Sequence, residues 1–107
     1  MPDKLTILRE LKHLLQERFH DDIQEVILFG SQATGTARAD SDYDMLIVVN
    51  CDYDWRYTKS IRYTCYDIDL KYQILTDPHI ISVNEMRSSL KRYEPMYINA
   101  FKNGVHI

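Results

Sequence analysis

Several features that would assign a protein class at once are missing from this sequence of 107 residues. Its two cysteines, Cys51 and Cys65, lack metal-ligand or Cys-x-x-Cys spacing, so we interpret them as small buried residues in a reducing compartment rather than as a disulfide. No apolar run is long enough to span a membrane, and no signal peptide is recognisable. We therefore expect a cytoplasmic protein without a membrane partner.

Basic residues are also few and dispersed along the chain. The 13 lysines and arginines stand against 16 acidic residues, which gives a net charge of −3 without any basic block. This balance lacks the electrostatic footprint of a protein that tracks a polynucleotide, and it argues against a nucleic-acid partner. No repeat, low-complexity tract or internal linker is present. We expect one domain over residues 1–107, too small to include a separate substrate-binding domain.

The most informative segment that is present runs from Leu28 to Val49, with the sequence LFGSQATGTARADSDYDMLIVV. Its acids Asp42 and Asp44 stand at the mouth of an apolar strand that we predict for Ser41 to Asn50. Alternate residues of a strand share one face, so both carboxylates could hold the same metal ions. Placing ionised carboxylates at this position would cost free energy unless cations or water compensate their charge. The segment therefore predicts a phosphoryl-transfer site.

A Gly-Ser pair precedes these acids in the same segment. The run Ile23 to Phe29 is short, β-branched and apolar, which predicts a buried strand that Gly30 ends. Glycine allows the backbone to approach a ligand closely. Ser31 is predicted to open a short helix that closes at Gly35, so that its first amides form an anion site. The phosphate-binding and metal-binding sites are thus predicted on adjacent strands, with a crossover connection between the strands.

Gly-Ser, ten residues and then Asp-x-Asp on a hydrophobic strand resemble the signature of the nucleotidyltransferase superfamily that shares the catalytic fold of DNA polymerase beta. Within it, the short chain resembles the minimal nucleotidyltransferase branch, whose members resemble antitoxins encoded beside HEPN-domain partners. The residues that match in order and spacing are Gly30, Ser31, Gly35, Arg38, Ser41, Asp42 and Asp44. Two positions depart from the commonest pattern: Gln32 replaces a frequent arginine, and Ala39 replaces a frequent proline. Loss of the arginine would weaken triphosphate binding, but neither change removes a metal ligand.

The resemblance implies both a fold and a set of ligands. The fold is of the α/β (α+β) class, a polymerase beta-like nucleotidyltransferase fold with a small mixed sheet of three to four strands flanked by helices. Two Mg²⁺ ions are implied on Asp42 and Asp44, with ATP or another nucleoside triphosphate as substrate. Gly30, Ser31 and Ser41 are implied in nucleotide binding. Arg38 could steady the triphosphate by bidentate contacts.

A third carboxylate is expected farther along the chain. Apolar residues at three- and four-residue intervals predict a helix from about Asp54 to Tyr72, and a strand is predicted for Gln73 to Ile81. The resemblance places the third acid on such a strand, at Asp77, which would be a third metal ligand or general base. Asp69, on the predicted helix, is the alternative. The pair Asp77-Pro78 also fits an ordinary turn.

The flanking segments predict a helical cover for the sheet. An amphipathic helix is predicted for Asp3 to His20, and Ser82 to Glu85 form a capping box that opens another. Pro95 suits the first turn of a last helix that Gly104 ends, and residues 105–107 are predicted as an extended tail.

Two kinds of side chain outside the motif are of interest. His79 lies two residues from Asp77 and on the same face of the predicted strand, whereas the other histidines lack ligand spacing. Tyr93 and Tyr97 are expected to be exposed anchors for a partner.

The sequence therefore predicts a Mg²⁺-dependent enzyme that transfers a nucleoside monophosphate, AMP from ATP by resemblance, to an acceptor hydroxyl. The acceptor is expected on a HEPN-type partner protein, with the chain acting as its antitoxin. A small-molecule nucleotidyltransferase that shares its pocket with a second subunit, and a non-catalytic nucleotide-binding module, remain alternatives. A homo-oligomer is also compatible with the sequence.

Overall fold

A mixed four-stranded sheet lies between two layers of helices in the computed structural model, which describes residues 2–35, 38 and 41–107. The strands are β1 Ile23–Phe29, β2 Tyr43–Val49, β3 Thr76–Ser82 and β4 Val105–His106. The α-helices are α1 Lys4–Phe19, α2 Ser31–Thr34, α3 Trp55–Tyr72, α4 Val83–Ser88 and α5 Pro95–Asn103, with 3₁₀ turns at His20–Asp22 and Leu90–Tyr93. The predicted fold class is confirmed. Ala39 lies outside the described residues.

The strand order β3-β2-β1-β4 brings the ends of three elements together. β1 runs antiparallel to both β2 and β4, whereas β2 and β3 are parallel. The prediction of adjacent strands is confirmed, but the predicted crossover between β1 and β2 is wrong, because the chain reverses direction between two antiparallel strands. As a result, the end of β1 lies beside the start of β2, and the start of β3 lies on the other side of β2.

Alternation along the strands divides the core between the two faces of the sheet. On β2, Met45, Ile47 and Val49 pack with α1 and α3, whereas Leu46 and Val48 pack with α5. The predicted apolar stripe of α1 is buried on the first face, and Leu8, Leu11 and Leu15 have no exposed area. Strands that are apolar on both faces are typical of a sheet covered on both sides.

Local hydrogen bonds fix most helix starts where the sequence predicts them. The Asp3 carboxylate accepts the Thr6 amide at 2.9 Å to cap α1, and Asp54 caps α3 through the Tyr57 amide at 3.0 Å. The capping box predicted at the start of α4 is confirmed, with both of its hydrogen bonds present between Ser82 and Glu85.

Two of the three seven-residue strands, β2 and β3, begin later than predicted. β2 begins at Tyr43 rather than Ser41, because the Ser41 amide donates to the Arg38 carbonyl at 3.1 Å and closes a turn there. β3 begins at Thr76 rather than Gln73, because Gln73 adopts left-handed backbone angles, φ 54° and ψ 46°, as the C-cap of α3. The chain therefore has to reverse after the helix before it can extend.

The predicted tail is an edge strand. Val105 and His106 pair with Leu28 and Ile27 of β1, and the His106 imidazole contacts the Glu25 carboxylate beside them. Gly104 makes this approach feasible, because a Cβ there would lie 2.5 Å from Ile27 Cγ2 and 2.9 Å from the Leu28 carbonyl oxygen of β1.

One predicted surface residue lies in the core instead. Tyr97 is only 6% exposed and packs against the α5 face of the sheet, so its expected role as an exposed anchor is wrong. Tyr93 is 60% exposed, as expected. Tyr97 falls three residues before the buried Ala100, so both point to the sheet from the same side of α5.

Among the described residues, no helix combines the length and the apolar character that crossing a membrane requires.

The contact between His106 and Glu25 makes part of the stability depend on pH. Its hydrogen bond to Glu25 raises the pKa of His106 above the ordinary histidine value. A raised pKa in the folded state contributes stability that is complete below the unfolded-state pKa of about 6.5 and is lost as pH rises through the folded-state value. We expect His106→Gln to lower the unfolding temperature more at low pH than at high pH, measured by circular dichroism. Glu25→Gln should give the same pH dependence, and a pH-independent difference for both variants would contradict this assignment.

Candidate active site

Two acidic residues meet where the parallel strands begin. Asp44 is the second residue of β2 and Asp77 the second residue of β3, and the two are direct partners in the parallel register. Both side chains are partly buried, and they point to the sheet face that carries Leu46 and Ile81. The sheet thus places side by side two acids that are 33 positions apart in the sequence.

Gly30 lies against the first of these acids. Phe29, the last residue of β1, is the register partner of Asp44, so the chain leaves β1 directly beside this carboxylate. A Cβ on Gly30 would lie 2.5 Å from Asp44 Oδ2, and Gly30 has a φ of 73°. Both the space and the backbone angle therefore require glycine here. The close approach to a ligand that the sequence led us to expect at Gly30 stays a prediction.

The surroundings of Asp44 disfavour its ionised form. Burial raises the pKa of Asp44, and the neighbouring carboxylates of Asp77 and Asp42 raise it further, while His79 acts in the opposite direction. Negative groups that repel one another in a partly desolvated site are stabilised by a cation. The electrostatics therefore favour a positively charged ligand.

A histidine completes the donor group at this point. Ligand atoms of Asp44, Asp77 and His79 all lie within 4.8 Å of one another. His79 Nε2 is 3.3 Å from Asp77 Oδ2, and the imidazole packs against the Phe29 ring with centroids 5.9 Å apart. Two carboxylate oxygens and an imidazole nitrogen form a donor set that fits a divalent cation.

Asp42 stands at the edge of this group. It lies immediately before β2 rather than on it, and its side chain is exposed. The strand-face argument made for Asp42 and Asp44 therefore does not apply as stated. Its effect on the pKa of Asp44 shows that the two charges still interact.

The segment before Asp42 is held by a buried side chain that the sequence did not single out for this purpose. Gln32 of α2 is 7% exposed, and its Nε2 donates to the Ser41 carbonyl at 3.0 Å. Lys4 Nζ donates to both the carbonyl and the Oε1 of Gln32, at 3.0 and 3.1 Å. Ser41 Oγ in turn accepts the Arg38 amide at 2.9 Å. The glutamine that departs from the common motif thus links α1, α2 and the segment leading to Asp42.

The remaining predicted site residues lie on α2 and in the segment between α2 and β2. The predicted short helix is confirmed as α2, with Ser31 at its start and Gly35 as its left-handed C-cap. Arg38 is exposed. The roles predicted for Ser31, Arg38 and Ser41 stay predictions.

Asp69 has a different environment from Asp77. It lies on α3, as predicted, and its Oδ1 accepts the Thr76 amide at 3.1 Å in a buried contact. This bond ties the end of α3 to the start of β3, the strand that carries Asp77. Burial raises the pKa of Asp69 despite its hydrogen bonds to Thr76. Asp69 thus makes a contact that positions β3. Asp77, in contrast, lies beside Asp44.

Comparison with protein families agrees with this geometry. A family model described as a nucleotidyltransferase domain matches residues 8–103. The chain belongs to the nucleotidyltransferase domain family. This match covers all three acids, Gly30 and the segment between them, so the recognition made from the motif is confirmed for nearly the whole chain.

Two relatives that are similar in sequence to this chain come from Methanocaldococcus jannaschii, and each is named "putative protein adenylyltransferase". The first is 32% identical over 64% of this chain and 63% of its own length. The second is 32% identical over 84% of this chain and 61% of its own length. The chain therefore spans somewhat over three fifths of these relatives.

A solved structure has the same nucleotidyltransferase fold. A chain from a crystal structure of a toxin-antitoxin with AMP-PNP superposes with a TM-score of 0.64 at 15% identity, over 97% of this chain and 72% of that one. At this identity the likeness concerns the fold.

The contact between Gly30 and Asp44 can be tested with two glycine substitutions. Both Gly30→Ala and Gly35→Ala place alanine at a positive φ, 73° and 79°. Gly30 has a ψ of −156°, in a region that is essentially restricted to glycine, whereas Gly35 has the left-handed helical ψ of 10°. Only at Gly30 would the new Cβ meet a neighbour within 4 Å. Backbone strain at a positive φ costs about 1–3 kcal/mol. We expect both variants to lose stability in urea unfolding, Gly30→Ala by more, because its backbone conformation is the less accessible to alanine and because the new Cβ must also displace the Asp44 carboxylate.

Binding of Mn²⁺, followed by calorimetry, separates the two variants further. Gly30→Ala should weaken it, and Gly35→Ala should leave it near the wild-type value. Equal effects of the two substitutions on stability and on Mn²⁺ binding would show that the Gly30 approach does not serve the acid pair.

Proposed function

We propose that this chain is a metal-dependent nucleotidyltransferase that transfers AMP from ATP to a hydroxyl group of a partner protein. The observation that carries the proposal is the pairing of Asp44 with Asp77 beside Gly30, in a chain of the nucleotidyltransferase domain family. The names of the two archaeal relatives support adenylyl transfer to protein.

The acids form the charged half of the site in this proposal. Asp44 and Asp77 supply oxygen ligands from neighbouring strands, and Asp42 adds a third carboxylate from the segment before β2. Bound there as a pair, Mg²⁺ or Mn²⁺ would neutralise phosphate charge and stabilise the attacking and leaving oxygens. Gln32 keeps Asp42 near this point through its bond to the Ser41 carbonyl.

The triphosphate binds beside the acids in this proposal. Its phosphates lie over Gly30 and Ser31, where the absence of a side chain on Gly30 lets the backbone come close. Ser41 belongs to the same site, and Arg38, exposed in the preceding segment, reaches the triphosphate oxygens with its guanidinium group. The contribution of the chain is then mainly orientation and charge.

In the reaction, the acceptor hydroxyl oxygen forms a bond to the α-phosphorus. The bond from that phosphorus to the oxygen bridging to the β-phosphorus breaks, and pyrophosphate leaves with the bonding electrons. The hydroxyl proton passes to a carboxylate oxygen of Asp77 and from there to water. Asp77 suits this role because 47% of its side chain is accessible, so that it can contact both the acceptor and water.

The acceptor is best supported as a protein. The net charge of −3 disfavours a polynucleotide, and the fold matches that of a chain from a toxin-antitoxin structure. We therefore propose a co-encoded HEPN-type helical protein as partner and acceptor, with the chain acting as its antitoxin in the cytoplasm. Leu90 and Tyr93, 80% and 60% exposed, are apolar groups that such a partner could cover.

Three asparagine substitutions test the proposal in one transfer assay. The chain is incubated with labelled ATP, Mg²⁺ or Mn²⁺ and the co-encoded protein, and we expect label on that protein. Asp44→Asn and Asp77→Asn keep the side-chain shape but remove a charged ligand, and should reduce the labelling rate by about 100-fold or more. Asp69→Asn is the matched control, since its amide oxygen can still accept the Thr76 amide.

The outcomes separate the competing functions. Retained labelling in the Asp44 and Asp77 variants, with loss only in the Asp69 variant, would reject the assignment of the acid pair. Label on an added small alcohol in the absence of the partner would favour a small-molecule nucleotidyltransferase. Nucleotide binding without any labelling would favour a non-catalytic module.

A further inference from the structure

The imidazole of His79 is the one donor in the acid group that the proposed reaction leaves without a role. It lies on β3, two residues after Asp77, so both side chains project from the same face of the strand. Its Nε2 is 3.3 Å from Asp77 Oδ2, and it belongs to the set of ligand atoms within 4.8 Å that includes Asp44. The Phe29 ring packs against the imidazole from β1 and limits its rotation.

The distance to Asp77 suits two ligands of one cation. Ligands at right angles around a divalent ion, with bonds of about 2.1 Å, lie about 3 Å apart. The Nε2–Oδ2 separation of 3.3 Å is close to this value and slightly beyond the usual range for an N–H···O hydrogen bond. The three donor atoms lie within 4.8 Å of one another, so a small closure of their side chains around an ion would complete the arrangement.

The nature of the third donor affects which metal is preferred. Carboxylate oxygens suit Mg²⁺ and Mn²⁺ alike, whereas an imidazole nitrogen suits first-row transition metals and offers little to Mg²⁺, which prefers oxygen ligands and retains its water. Two carboxylates and one imidazole therefore favour a cation that accepts both donor types.

We propose that His79 is a metal ligand beside Asp44 and Asp77, and that its nitrogen makes the site select Mn²⁺ over Mg²⁺. This inference rests on the proposed function, since it concerns the cation of the same acid pair. His79 then provides the specificity for the metal, while the carboxylates provide the charge.

The direct test is pulsed electron paramagnetic resonance of Mn²⁺ bound to the full chain at about pH 8, above the ordinary histidine pKa of about 6.5. We expect nitrogen-14 modulation from a directly bound imidazole in the wild-type chain. His79→Gln should abolish it, because the amide can still donate a hydrogen bond to Asp77 but provides no imidazole nitrogen. His13→Gln is the matched control, because His13 also lies beside a carboxylate, 3.2 Å from Glu17, but on the exposed face of α1.

Calorimetric titration with Mn²⁺ alone and Mg²⁺ alone gives the second readout. The wild-type chain should bind Mn²⁺ the more tightly of the two, and His79→Gln should weaken Mn²⁺ binding by about 10-fold or more while changing Mg²⁺ binding much less. A positioning role for His79 through Asp77 would instead weaken both metals equally and leave no nitrogen modulation in the wild type. That result would overturn this inference and leave the proposed function standing, whereas a wild-type chain that binds neither metal would overturn both.

Discussion

The parallel register of β2 and β3 is the constraint on which the rest of the site depends. It sets Asp44 directly beside Asp77, while the antiparallel partner β1 ends at Gly30 against the same carboxylate. The partly buried carboxylates of Asp44 and Asp77 repel each other, and burial and this repulsion together raise the pKa of Asp44. The folded chain therefore favours a cation where the end of β1 and the start of β3 flank the start of β2.

Other contacts serve to hold these strand ends in place. Asp69 accepts the Thr76 amide and so fixes where β3 begins, one residue before Asp77. The Tyr43 amide donates to the Leu75 carbonyl at 2.8 Å, which joins the starts of β2 and β3 directly. Gln32 holds the segment that leads to Asp42 through its hydrogen bond to the Ser41 carbonyl. The acids therefore lie in a frame of backbone and side-chain hydrogen bonds that would remain if their charge were removed.

The sequence predicted the parts of this arrangement that have local causes. β1, α2 and the cap of α4 follow from apolar runs, glycines and a Ser-x-x-Glu pattern, each contained within a few residues. Asp77 could be named only through the family resemblance, because the pairing of β2 with β3 depends on contacts across more than 30 residues. The reversal between β1 and β2, the hydrogen bond from Lys4 to Gln32 and the burial of Tyr97 also depend on tertiary packing. No pattern of three or four residues carries that information.

The most direct test of this account is whether nucleotide binding requires a metal at the acid pair. A non-hydrolysable ATP analogue is titrated calorimetrically into the wild-type chain, once with Mn²⁺ and once with excess EDTA, and then into Asp44→Asn with Mn²⁺. Because the carboxylates and the triphosphate repel each other unless a cation lies between them, we expect tight binding only in the first titration. Equal affinity in all three titrations, with the variant still folded, would show that the pairing of Asp44 and Asp77 is not the nucleotide site.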